Sequence, residues 1–104
     1  MIYHEQKYSK NGVYVTPSVL GVGDKVRISY DGILAKSGAA DIWARVGYGD
    51  TWENSYDLEM SKGKDGFEST FSVANAAPIN ICFKDSADHW DNNLGQNYTF
   101  DVVQ

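Results

Sequence analysis

At 104 residues the chain is long enough for one domain and leaves no room for two. A hydrophobic fraction of 42% supplies a core, and an aromatic content of 13%, with seven tyrosines, favours strands over helices. The net charge of −5 is scattered without a basic stripe, which argues against nucleic acid and anionic membrane and leaves a neutral polar ligand as the easiest partner.

The opening Met1-Ile2-Tyr3-His4-Glu5-Gln6-Lys7 lacks an apolar signal core, and no apolar run approaches membrane-spanning length. The expectation is either a chain that stays inside the cell or a module cut from a longer secreted protein. From there, runs of period two follow one another. Residues 13–16 are β-rich and stop at Pro17. Residues 25–30 alternate and end at the turn signal Asp31-Gly32. Residues 41–46 alternate and end at Gly47-Tyr48-Gly49-Asp50, and residues 56–60 alternate before the turn-rich 61–66. Residues 67–73, 78–84 and 98–102 complete the set.

About seven short strands result, at sandwich-like spacing, and no stretch sustains a helical period. The expected fold is all-β: a single domain, residues 1–104, folded as an antiparallel immunoglobulin-like β-sandwich with its core roughly at 13–103. A closed barrel is the alternative. The expected core takes Val26, Ile28, Tyr30, Ile42, Ala44, Val46, Leu58, Met60, Phe67, Phe71, Val73, Ile79, Ile81, Phe83, Tyr98, Phe100 and Val102, since one face of each strand must be buried. The single cysteine, Cys82, permits no internal disulfide and shares the outward parity of Asn80 and Lys84.

The three tryptophans fall outside that core pattern. Ile42, Ala44 and Val46 share one strand face, so Trp43 and Arg45 share the other. The opposite register would bury the unpaired Arg45 charge. Trp52 sits in the permissive loop Gly49-Asp50-Thr51-Trp52-Glu53-Asn54-Ser55, and Trp90 in the polar loop of residues 85–93. Indole rings held in water beside hydrogen-bonding groups suit stacking on a ligand, and the C–H face of a pyranose is such a ligand. Asn92 and Asn93 offer donors and acceptors together, as vicinal hydroxyls require. His89 and Asp85 lie in the same loop, and strand parity turns Lys84 outward beside it.

The segment from Ile81 to Tyr98, with Phe83, Asp85 and Trp90-Asp91-Asn92-Asn93, resembles the signature of starch-binding carbohydrate-binding modules of families 25 and 53. Ile42-Trp43-Ala44-Arg45 followed by Gly47-Tyr48-Gly49-Asp50-Thr51-Trp52 is similar to the families' second binding stretch. Residues 57–60, ending in Met60, fit a further strand of theirs. The likeness spans roughly residues 13–103. Some members carry His where Trp43 stands, and the stretch ending at Trp52 is less rich in Trp and Asn than in family 53. The resemblance implies a β-sandwich that binds α-1,4-glucans such as starch, glycogen and malto-oligosaccharides without cleaving them. It implies a stacking platform of Trp43, Trp52 and Trp90, with Asn92 and Asn93 binding hydroxyls or holding the loop. It also implies attachment to an amylolytic or glucan-synthesising enzyme.

Other uses fit the residues less well. A glycosidase needs two carboxylates across the cleaved bond, and a shallow sandwich surface excludes little water. With only His4 and His89, no nucleophile–histidine arrangement can be defended. Asp85, Asp88 and Asp91 miss the calcium-loop spacing, so no cofactor is expected beyond an ion that orders the loop. The alternative function is an immunoglobulin-like protein-interaction domain anchored by exposed tryptophans, which calls for a flat apolar patch rather than rings set among amides.

Overall fold

The structure, a computed structural model, describes residues 7–64 and 66–103. Most of the opening segment read for a signal core, residues 1–6, lies outside the described residues, as do Asp65 and Gln104. Apart from a 3-10 turn at Ser9–Asn11 and one helical turn, α1 (Ile33–Lys36), the regular structure is β. The strands are β1 (Val13–Thr16), β2 (Leu20–Gly21), β3 (Lys25–Tyr30), β4 (Ile42–Tyr48), β5 (Glu53–Gly63), β6 (Gly66–Ser72), β7 (Ile79–Asp85), β8 (Trp90–Asp91), β9 (Tyr98–Phe100) and β10 (Val102–Val103).

The main sheet runs β1-β3-β6-β5-β4-β7, with β8 and β9 both hydrogen-bonded to β7. Every pair in it is antiparallel. The long β5 makes the corner: Glu53 through Met60 register against β4, and Ser61 through Gly63 against β6. The sheet therefore folds into two layers, β1-β3-β6 over β4-β7-β8/β9. Tyr30 of β3 stacks on Phe83 of β7 with ring centroids 4.0 Å apart. The Tyr48 hydroxyl, reaching across, accepts from the Ala74 N–H at 3.0 Å. This is the all-β sandwich that the alternation implies.

Alternation also identifies most of the interior. Ile42, Ala44, Val46, Ile79, Ile81 and Phe83 are buried from one layer, and Val26, Ile28, Tyr30, Phe67 and Phe71 from the other. Leu58 and Val102 are only half-buried and pack against the core from its margin. Val13, Val15, Leu20, Leu34 and Tyr48 join the core unforeseen.

Three expectations need correction. Asp31-Gly32 makes no hairpin, since the next strand lies in the other layer. The chain instead crosses by α1, whose Leu34 N–H is received by the Tyr30 hydroxyl at 3.2 Å. The sheet structure is not wholly antiparallel either. The last run breaks at Asp101, and β10 pairs in parallel with β2, placing Val102 opposite Leu20. Finally, the loop around Trp90 folds back as strand β8.

Candidate functional site

The outward face of the β5-β4-β7-β8 layer is set by parity and register. On β4 the outward positions are Trp43, Arg45 and Gly47. Trp43 stands opposite Glu59 of β5 and Lys84 of β7, and Lys84 stands opposite Trp90 of β8. One row across the strands thus reads Glu59, Trp43, Lys84, Trp90. The Lys84 ammonium lies 5.8 Å from the Trp43 ring centre and 5.4 Å from that of Trp90. A cation between two indoles helps hold both rings. Trp43 is half-buried and Trp90 is 43% exposed, so each keeps solvent-accessible ring surface.

The next row reads Asp57, Arg45, Cys82. Arg45 donates to Asp57 through Nε at 2.8 Å and through Nη2 at 3.3 Å. The pair raises the guanidinium's pKa and holds the Asp57 carboxyl below the usual carboxylate range. The guanidinium carbon also lies over the Trp90 ring, 5.1 Å from its centre. Cys82 is buried although it belongs to this outward row, and burial pushes its thiol up to about 11. It is an inert packing residue rather than a nucleophile.

The third row holds Gly47, Asn80 and Thr99. Trp52, at the β4–β5 turn, sits at φ 54°, in the left-handed region that a bulky residue rarely adopts. That geometry folds its ring back over Gly47, where a Cβ would stand 2.5 Å from Trp52 Cε3. Gly47 lies four positions along the strand from Trp43, roughly 13 Å at strand rise. All three indoles therefore share one face. Asn80 is occupied structurally: its amide donates to the Gly49 carbonyl at 2.8 Å, and its oxygen accepts from Thr99 at 2.9 Å.

Trp90 owes its position to two carboxylates. Asp85 accepts the Ala87 N–H, the His89 N–H and a contact from His89 Nδ1, each at 2.9 Å. These bonds, led by the His89 backbone, hold its carboxyl below its usual range and close the turn into β8. Asp91 then ties β8 to the interior by accepting the Tyr30 and Tyr98 hydroxyls, both at 2.7 Å. Burial first, and the Asp91 carboxylate second, push both phenols well above their usual range.

Of the residues singled out in the sequence, the structure brings together Trp43, Trp52, Lys84 and Trp90. The hydrogen bonds of the others tie them to the turn and loop around Trp90. Asp85 has the inward parity of Phe83, both its oxygens are engaged, and His89 is drawn to it. Asn92 Oδ1 accepts the Gly95 N–H at 3.0 Å. Asn93 donates to the Asn97 carbonyl at 3.1 Å and lines a separate groove with Ile33 and Lys36. Arg45, Asp57, Gly47 and Asp91 have no site role of their own in the sequence pattern. Parity alone marks Arg45 as a neighbour of Trp43, whereas Asp57 needs the β4–β5 register. Among the described residues, no group of three or more His, Cys, Asp or Glu side chains is placed to share a metal ion.

No curated protein and no solved structure matches the chain. The starch/carbohydrate-binding module family 53 matches residues 26–81, which is more than half of the sequence and includes Trp43, Arg45, Gly47, Trp52 and Asp57. That family consists of non-catalytic carbohydrate-binding modules. With this match and its β-sandwich fold, the chain belongs to family 53 of the starch- and carbohydrate-binding modules.

Proposed function

We propose that the outward β5-β4-β7-β8 face binds α-1,4-linked glucans, that is starch, glycogen or malto-oligosaccharides, without cleaving them. Trp43, Trp52 and Trp90 stack on glucose units, and Lys84 and Arg45 supply hydrogen bonds between the rings. The observation that carries this reading is the shared face: Trp43 and Trp90 flank Lys84, and Trp52 lies over Gly47 further along the same strand. Rings set apart on a curved sheet suit a ligand that itself curves, as an α-1,4-glucan does.

Asp85, His89, Asn92 and Asn93 act behind this face, holding the turn and loop on either side of Trp90. Each stacked sugar contributes about 1 kcal/mol, by analogy with aromatic contacts in general. Ordering a flexible glucan offsets much of that, which puts affinity on the order of micromolar to millimolar. The module's role is to hold a linked or associated amylolytic or glucan-synthesising enzyme on its polymer.

Tryptophan fluorescence during titration tests the reading. Maltoheptaose should perturb the emission saturably, cellohexaose should not, and no reducing ends should appear. An equal response to both sugars would remove the α-linkage, and no response to either would remove the glucan.

A further inference from the structure

Between the Trp43–Trp90 row and Trp52 lies the Arg45–Asp57 pair. We propose that Arg45 and Asp57 select the ligand by its vicinal hydroxyls, taking O2 and O3 of the glucose unit that spans the indole positions. This inference rests on the glucan reading above and names the group of the sugar that is read.

Position is the first ground. Arg45 is two residues from Trp43 and two from Gly47, which carries Trp52, so a chain stacked on the indoles passes over it. Availability is the second. Arg45 uses two of the five guanidinium N–H groups on Asp57, and three remain. Each Asp57 oxygen accepts one of these bonds and keeps a free lone pair. The side chains are 45% and 37% exposed, within reach of a surface ligand.

Rigidity is the third ground. The guanidinium is fixed from two sides, by Asp57 and by the Trp90 ring at 5.1 Å. Donor and acceptor are therefore presented together in a set geometry before the sugar arrives, which lowers the ordering cost. Beside Arg45 on the same face, Cys82 is small and buried and offers no competing polar partner on the solvent side. As a surface ion pair alone, Arg45–Asp57 contributes little to folding, a modest return for so ordered an arrangement.

The choice of hydroxyls follows from the polymer. In an α-1,4-glucan O1 and O4 are consumed by the linkages, leaving O2, O3 and O6. Only O2 and O3 are adjacent on the ring and held in fixed relation. Each hydroxyl both donates and accepts, so a guanidinium beside a carboxylate meets the two together. The lowered pKa of Asp57 keeps its acceptor ionised in mildly acid solution.

The test uses maltotriose and its analogues deoxygenated at O2, O3 or O6 of the central unit. They are titrated calorimetrically into the wild type, Arg45→Gln, Asp57→Asn and Trp90→Ala. The wild type should bind the O2- and O3-deoxy sugars about tenfold more weakly than maltotriose, and the O6-deoxy sugar nearly as well. Arg45→Gln and Asp57→Asn should bind maltotriose about tenfold more weakly and lose that discrimination. Asp57→Asn leaves the Arg45 and Trp90 side chains both present, so a lost discrimination there is not the loss of either one. Variants that bind more weakly but still discriminate would overturn the inference while leaving the glucan reading intact. A wild type that binds neither maltotriose nor maltoheptaose would overturn the glucan reading itself.

Discussion

The ring of Trp52 lies directly on the bare backbone of Gly47, so close that a Cβ there would stand 2.5 Å from Cε3 and 3.1 Å from the Trp52 Cα. The near atoms include backbone, which a side-chain rotation alone cannot clear. The flat seat of one indole thus depends on the absence of a side chain two residues beyond Arg45 and four beyond Trp43.

Gly47→Ala should therefore lift Trp52 off the sheet. The expected stability cost is about 1–3 kcal/mol, the usual range for overpacking. Affinity for maltoheptaose should fall about tenfold, since the distal stacking contact is displaced. Denaturant unfolding and fluorescence titration read the two effects. Unchanged affinity with a destabilised fold would show that Trp52 does not touch the ligand.

Much of this face is legible from the sequence, for a simple reason. The alternation of Ile42, Ala44 and Val46 forces Trp43 and Arg45 outward whatever the partner strand, because side chains alternate across any strand. The same logic identifies most of the buried residues. Register across strands is a different matter. That Lys84 falls between Trp43 and Trp90, and Arg45 beside Asp57, depends on pairings that no single strand encodes. β8 escapes a periodicity reading because it has two residues and is held by Asp85 and Asp91 rather than by pattern. Asn93 looks like a sugar ligand by residue type. Its left-handed φ of 55° and its bond to Asn97 show it serving the loop. The β10–β2 pair joins residues about eighty positions apart and leaves no local signature.

Asp91 is the anchor that fixes β8 to the sandwich, and its removal should be costly. Asp91→Ala leaves the Tyr30 and Tyr98 hydroxyls without their acceptor, at a cost of about 3 kcal/mol. Tyr98→Phe removes one bond and should cost about 1–2 kcal/mol. Chemical denaturation measures both. Asp91→Ala should also weaken maltoheptaose binding, because Trp90 is the adjoining residue, while Tyr98→Phe should leave it nearly intact. Equal stability costs for the two variants would show that Asp91 does not hold both hydroxyls.

Asp85 predicts how the fold responds to acid. Its carboxyl is held below its unfolded value, chiefly by the backbone N–H of His89. A carboxyl depressed in the folded state stabilises the fold above the unfolded value, about 3.9, and that contribution is lost as pH falls through the folded value. The turn into β8 should therefore loosen below about pH 4. Asp85→Asn should be less stable than the wild type at neutral pH, and the gap should narrow in acid. A gap that stays constant from pH 7 to below pH 3 would mean that the charge of Asp85 is irrelevant to the turn.

Trp90 and Trp43 should separate binding from stability. Trp90 is 43% exposed, at the end of a two-residue strand whose anchor is the neighbouring Asp91. Trp90→Ala should change stability by no more than about 0.5 kcal/mol, as surface substitutions usually do, and weaken maltoheptaose binding at least tenfold. Trp43 is half-buried in the middle of the layer, between Glu59 and Lys84. Trp43→Ala should cost about 1–3 kcal/mol of stability in addition to its share of affinity. Thermal unfolding and glucan titration on the two variants give the comparison. Unfolding caused by Trp90→Ala would make its ring a structural element, and the row of Trp43, Lys84 and Trp90 would then have to be read as packing rather than as a surface for sugar.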